Sequence, residues 1–242
     1  MEYVIADLVD GRNRALYDEV SRNVPVVLEM SDDDGWGAII KDGNGHVYYS
    51  ATLHPISSFT HELLHLKCDY SGMGRPGFVV KSPPQDPDNL YREIKEQLSY
   101  IYNQLIHHKI FQEFTALGFP PDEFLADVDK EEASNCGKRD IPELVELHKK
   151  IRRDIPCRLF IYPYLFLHSP NDTSEESQTL LKKLRNISDQ NFYKVNKLID
   201  RLKEDKTPDM RKYLSQVFMY CDGPEIGFGY DENQILWASE FR

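Results

Sequence analysis

The chain has 242 residues, a formal net charge of −11 and a sequence pI near 5.2. Hydrophobic residues make up 40% and charged residues 29%, and 14 Tyr, 12 Phe and 2 Trp supply core material, which excludes a disordered chain. The acidic balance argues against general nucleic-acid binding, which needs Lys and Arg to neutralise phosphates.

The sequence also predicts a cytoplasmic protein with no membrane association. No apolar run reaches the roughly 18 residues of a membrane-spanning helix, and the N-terminal residues lack the apolar stretch of a secretory signal. The four cysteines, at positions 68, 136, 157 and 221, show no CxxC spacing. We therefore expect four free thiols in a reducing compartment.

The first quarter of the chain predicts a helix and then a small antiparallel sheet. Residues 11–23 have helical spacing and end before Pro25. Residues 26–30 are a strand candidate, and residues 36–52 predict a β-hairpin. Its turn, Lys41-Asp42-Gly43-Asn44-Gly45, contains Asp-Gly and Asn-Gly pairs that favour positive φ angles.

Two further helices are predicted beyond the hairpin. Pro55 interrupts the strand pattern, and Ser57 or Ser58 can cap a helix that continues to residue 67. Gly and Pro residues at 71–77 end it, and the prolines up to residue 87 predict an irregular segment. Residues 89–117 give the strongest helical pattern, and Gly118 is its expected stop.

The second half of the chain predicts a mostly helical part. Helices are expected at residues 142–153, 174–187, 191–204 and 208–219, while residues 158–162 fit a strand or the start of a helix. The best subdomain boundary is the polar stretch at 129–141. The predicted fold is therefore α+β, with one domain over residues 1–130 and a mostly helical subdomain over 131–242.

One motif in this chain carries chemistry, His61-Glu62-Leu63-Leu64-His65, an HExxH sequence on a predicted helix. Residues four apart lie on one helical face, so both imidazoles can bind one Zn²⁺. Glu62 is then placed to act as general base on a water held by the metal. The alternative is an ordinary amphipathic helix with His and Glu at its surface, but Leu63, Leu64 and Leu66 favour a buried one.

Catalytic zinc normally takes three protein ligands, so the third must come from elsewhere in the chain. The long helix offers His107, which neighbours inward-facing apolar residues, then His108 and then Glu113, in that order of preference. Asp69 is a candidate for orienting a ligand imidazole, although a solvated helix end is an equal alternative.

The HELLH sequence after a hairpin, followed by a long helix with a ligand candidate, resembles the zincin metallopeptidases. It is most similar in kind to the small cytoplasmic bacterial ones, the IrrE-like group, over roughly residues 24–120. The resemblance implies His61, His65 and His107 as ligands, Glu62 as general base, and Asn103, four positions before His107, as a supporting residue. Cys68 and Ser71 stand where the longer HExxHxxGxxH pattern of metzincins needs Gly and His, so that subgroup is not indicated.

The function expected from these features is zinc-dependent hydrolysis by a narrowly specific intracellular metalloprotease. Its substrate would be a protein or peptide, with a regulatory protein as a further partner. The alternative is a zinc-binding regulatory or accessory protein that acts by partner binding, with residues 131–242 as its docking part.

Overall fold

The structure is a computed structural model, and it has the predicted mixed α+β character. It describes residues 2–31, 35–81, 87–125, 145–146, 164–165, 167–171, 174–219, 225–231 and 234–241. The predicted helix at 142–153, the ambiguous segment at 158–162, the boundary at 129–141 and the cysteines at 136, 157 and 221 lie wholly or mainly outside these residues. The division of the chain at residue 130 therefore stays a prediction.

The chain forms two compact units, each made from two stretches. The first contains Met1–Gly74 and Lys109–Ala133, and the second contains Arg75–His108 and Ser134–Arg242. The division falls inside one continuous helix, α4 (Pro87–Ala116), which therefore contributes residues to both units.

The first unit contains a three-stranded sheet in the order β1-β3-β2, formed by Val26–Met30, Asn44–Tyr49 and Gly37–Lys41. The hairpin of β2 and β3 is confirmed, with Lys41 opposite Asn44. Its two-residue turn has positive φ at both positions, 51° at Asp42 and 78° at Gly43. This is why the turn needs residues that tolerate the left-handed region.

The prediction that this sheet is antiparallel throughout is wrong. Strand β1 pairs parallel to β3, with Val26 opposite Gly45 and Met30 opposite Tyr49. A parallel partner needs a crossover, and here residues 31–36 and strand β2 lie between the two strands in sequence. The sheet is therefore mixed.

Helix α3 (Pro55–Cys68) follows the sheet and carries the HExxH sequence. It begins at Pro55 itself, earlier than predicted, because proline has no N–H to lose at the first helical position. Ser57 and Ser58 consequently lie inside the helix rather than at its cap. Two shorter helices precede the sheet, α1 (Ile5–Leu8) and α2 (Arg14–Asn23).

Gly45 brings strand β3 very close to α3. A Cβ at this position would lie 2.8 Å from Leu66 Cδ1 and 3.4 Å from Val24 Cγ1. Leu66 is fully buried, so its side chain has little room to move. The lack of a side chain at Gly45 therefore sets how closely the sheet approaches the HExxH helix.

A π-helical turn (Asp69–Met73) ends α3, and Gly72 within it has a φ of 84°. Helix α4 stops before Gly118, which has a φ of 90° and provides the predicted stop. A 3-10 helix, Pro121–Glu123, then follows in the first unit.

The second unit contains a small antiparallel sheet that the sequence pattern did not reveal. Its order is β4 (Gly77–Val80), β5 (Ile226–Gly229) and β6 (Leu236–Trp237). The predicted helices are confirmed as α5 (Glu175–Ile187), α6 (Asp189–Glu204) and α7 (Met210–Met219). A 3-10 helix, Ala238–Phe241, follows β6. Among the described residues, no helix is long and apolar enough to cross a membrane.

Candidate metal centre

Helix α3 places His61, Glu62 and His65 in or beside the core. His61 is 3% exposed and Glu62 5% exposed, while His65 is half-buried. The two imidazoles lie on one helical face, with His61 Nε2 and His65 Nε2 only 2.9 Å apart. The alternative of surface residues on an amphipathic helix is therefore excluded for His61 and Glu62.

His107 joins this pair from helix α4. One nitrogen from each of His61, His65 and His107 lies within 4.8 Å of the others, and His107 is 4% exposed. The three form a group that could hold a metal ion, and it is the one such group found in the described part of the chain. Of the three sequence-based candidates for a third ligand, the structure brings His107 to the pair.

Glu113, the carboxylate candidate, forms an ion pair with Lys67 instead. Its Oε1 accepts a hydrogen bond from Lys67 Nζ at 2.7 Å, and Lys67 also pairs with Glu19 at 3.2 Å. Tyr70 donates its hydroxyl proton to Glu19 at 2.9 Å. This network joins the end of α3 to α2 and to the last turns of α4, so Glu113 has a structural contact and does not join the histidine group.

His108, the second candidate, lies beside a different residue. It is 1% exposed, and its ring contacts that of His168, with 5.1 Å between the ring centroids. Neighbouring residues of a helix point about 100° apart, so His107 and His108 cannot face the same point.

The positions of the two residues predicted to support the ligands do not test that role. Asp69 begins the π-helical turn, and its Oδ1 lies 3.4 Å from where a Cβ on Gly74 would be. Asn103 is exposed, four residues before His107 on α4. Their supporting roles stay predictions.

Phe124 covers the first ligand candidate, and sequence reasoning missed it. Its ring lies 4.6 Å from the His61 ring and also contacts Phe111 and Phe114 of α4. The neighbouring Glu123 accepts a hydrogen bond from Ser57 and lies 3.3 Å from His54 Nδ1 at the start of α3. The available signal was Pro120-Pro121, which forces the chain to turn after the long helix.

Burial keeps the imidazoles of His61 and His65 neutral, which is the state that binds a metal. Desolvation lowers the pKa of His61 to about 4, and desolvation with the neighbouring His61 lowers the pKa of His65 well below its usual value. A neutral imidazole offers a nitrogen lone pair without first losing a proton.

The donor set fits zinc in kind, and the two histidines of α3 also fit it in spacing. Two nitrogens bound to one tetrahedral zinc lie about 3.3 Å apart, for Zn–N bonds near 2.0–2.1 Å. The 2.9 Å between His61 Nε2 and His65 Nε2 needs only a small side-chain adjustment to reach that value. Three protein ligands also leave a fourth position for water or substrate.

Comparison with known proteins does not identify a family for this chain. No protein-family model matches the sequence, and neither a curated protein nor a solved structure is significantly similar to it. The function must therefore be argued from the site.

Proposed function

We propose that this protein is a zinc-dependent hydrolase that cleaves a peptide bond in a protein or peptide, with Glu62 as general base. The observation that carries the proposal is the group formed by His61, His65 and His107, with a buried glutamate next to the first of them. The resemblance of the HELLH helix to that of zincin metallopeptidases supports the same reaction.

The proposed role of Glu62 follows from its place on α3. The next residue along a helix points about 100° away from His61, so Glu62 lies beside the metal face rather than on it. It would accept the proton of the attacking water and then deliver a proton to the leaving amine. A zinc ion held by the three histidines would supply Lewis acidity to the water and to the scissile carbonyl.

Strand β2 is the proposed place for an extended substrate. The order β1-β3-β2 puts β2 at an edge of the sheet, and β2 also contacts α3. A peptide that adds to such an edge gains main-chain hydrogen bonds, while its alternate side chains determine specificity. This would bring a peptide alongside the helix that carries Glu62.

The proposed setting is the cytoplasm, with a narrow choice of substrate. Cys68 is a buried free thiol, as expected for a reducing compartment. His61 and His107 are buried, and Phe124 covers His61, so access to the metal face would be limited. Limited access favours a restricted substrate over general proteolysis.

The test is a comparison of the parent protein with Glu62→Gln, loaded with zinc. Each is incubated with a denatured cytoplasmic protein extract, and new N-termini are labelled and identified by mass spectrometry. We expect Glu62→Gln to keep its zinc and to lose about 10²- to 10⁴-fold in cleavage rate, the usual contribution of a general base. The matched control is Glu204→Gln, at the exposed end of α6.

Two results would contradict the proposal. Equal cleavage by the parent protein and Glu62→Gln would remove Glu62 from the reaction. Zinc binding without any cleavage by the parent protein would favour the alternative function, a zinc-binding regulatory or accessory protein.

A further inference from the structure

A second pair of histidines lies in the second unit and takes no part in the proposed reaction. His108 is on α4, and His168 follows a helical turn in which its backbone N–H donates to Tyr164 O at 2.9 Å. The two ring centroids lie 5.1 Å apart, with the planes tilted by 49°.

This pair contains polar atoms whose hydrogen-bonding capacity is not used. Both ring nitrogens of His108 and Nδ1 of His168 are buried and have no hydrogen-bond partner among the described residues. His108 is only 1% exposed, so bulk water does not satisfy it. Buried polar groups in folded proteins almost always have a partner, so three such nitrogens in adjacent rings indicate that a ligand completes them.

The surroundings orient the pair and set its charge. Tyr164 stacks on His168, with 5.3 Å between the centroids and 17° between the planes, and its hydroxyl donates to Asn196 of α6. Two further residues of α6 act on the pair electrostatically, Asp200 on His168 and Lys203 on both histidines. Burial of the two rings lowers the pKa of both imidazoles.

We propose that His108 and His168 bind a divalent transition-metal ion at a second site, separate from the group at His61, His65 and His107. Neutral imidazole is a preferred ligand of zinc, copper and nickel, and one nitrogen from each ring would bind the ion. A metal ion would bind the ring nitrogens that have no hydrogen-bond partner among the described residues. Water that enters with the ion would complete the coordination, and Asp200 acts on His168 with a charge opposite to that of Lys203.

The experiment measures zinc bound per chain by equilibrium dialysis and elemental analysis. The test variant is His168→Phe, which keeps a ring that can stack on Tyr164 but removes both nitrogens. A second variant, His108→Leu, removes the unpartnered nitrogens from the core without adding volume. The control is His46→Phe on strand β3, outside both groups. Circular dichroism checks that each variant is folded.

The expected result is two zinc ions per chain in the parent protein and in His46→Phe. We expect one in His168→Phe and in His108→Leu, and one in the double variant His61→Ala/His65→Ala. One zinc in the parent protein that disappears in the double variant would overturn this proposal and leave the hydrolase proposal intact. One zinc ion in the parent protein that is lost in His168→Phe but kept in the double variant would support this second site. It would contradict zinc binding at His61, His65 and His107.

Discussion

Adjacent residues of α4 have different surroundings. His107 approaches His61 and His65, while the ring of His108 contacts His168. The HExxH spacing alone predicts two ligands and the base, because that geometry is local to one helix. The third ligand depends on how α4 is rotated relative to α3, and this is set by contacts such as Lys67–Glu113 that join residues far apart in sequence.

The first prediction concerns His107 and zinc affinity. His107→Ala removes the third imidazole and should weaken zinc binding by more than the roughly 10- to 100-fold that loss of a mere supporting residue costs. Zinc affinity is measured by competition with a chelator. All variants carry His168→Phe, so that zinc binds only at the site of His61, His65 and His107. The control is Gln112→Ala, at an exposed position on the same helix and with no predicted role at the metal centre.

The competing ligand is tested in the same background with Glu113→Gln. Because Glu113 accepts a hydrogen bond from Lys67, its substitution should leave zinc affinity unchanged within about twofold. Normal binding by His107→Ala together with a large loss in Glu113→Gln would identify Glu113 as the ligand and contradict the prediction.

At the scale of elements, Gly45 links the sheet to α3. Gly45→Ala places a Cβ 2.8 Å from the buried Leu66 Cδ1, so the side chain or the strand must shift. Overpacking of this kind costs about 1–3 kcal/mol, which urea unfolding would measure. The matched control is Gly37→Ala on β2, where a Cβ would meet nothing within 4 Å. Equal effects at the two positions would show that the close approach is not the cause.

Helix α7 gives a prediction that depends on pH. Asp209 Oδ1 accepts the backbone N–H of Arg211 at 3.1 Å, and Oδ2 pairs with the Arg211 guanidinium at 2.8 Å. The side-chain hydrogen bond from Arg211 lowers the pKa of Asp209 below its usual 3.8. The carboxylate therefore stabilises the folded state fully above about pH 4, and the effect is lost as the pH falls through the lower folded pKa.

Asp209→Ala should thus cost about 1 kcal/mol at pH 7, as loss of a helix cap usually does. The difference from the parent protein should shrink below about pH 3. Thermal unfolding at both pH values measures it. Asp189→Ala is the control, because the Arg185–Asp189 pair is exposed and should contribute little at either pH.

The elements that the sequence predicted are those whose signals are local. Asp42 and Gly43 specify their own hairpin turn, and Gly118 specifies the end of α4. Other pairings join strands that lie apart in sequence, so no short sequence pattern predicts them. Examples are the parallel pairing of β1 with β3 and the pairing of Gly77 with Gly229. Gly227 and Gly229 are typical of a loop in sequence, although both lie in strand β5. A Cβ at Gly227 would meet the Ile235 side chain, and a Cβ at Gly229 would meet backbone oxygens.

At the scale of the whole molecule, α4 is the element that belongs to both units. Its residues up to His108 are counted in the second unit and those from Lys109 onward in the first. Both proposed metal sites take one imidazole from the turn just before this division. Metal binding at either site should therefore act on the stability of the folded chain.

The last prediction is that zinc raises the temperature of thermal unfolding. A ligand that binds only the folded state at 100 times its Kd adds about 2.7 kcal/mol, and each kcal/mol is worth about 2–4 °C in a chain of this size. We expect a rise of about 5–10 °C for each occupied site in the parent protein, reversed by a chelator, and a smaller total rise in His61→Ala. Asp209→Ala should unfold at a lower temperature yet show the full zinc-dependent rise, because its cap lies on α7, away from both histidine groups in the chain. An equal rise in His61→Ala and the parent protein would place the stabilising ion elsewhere.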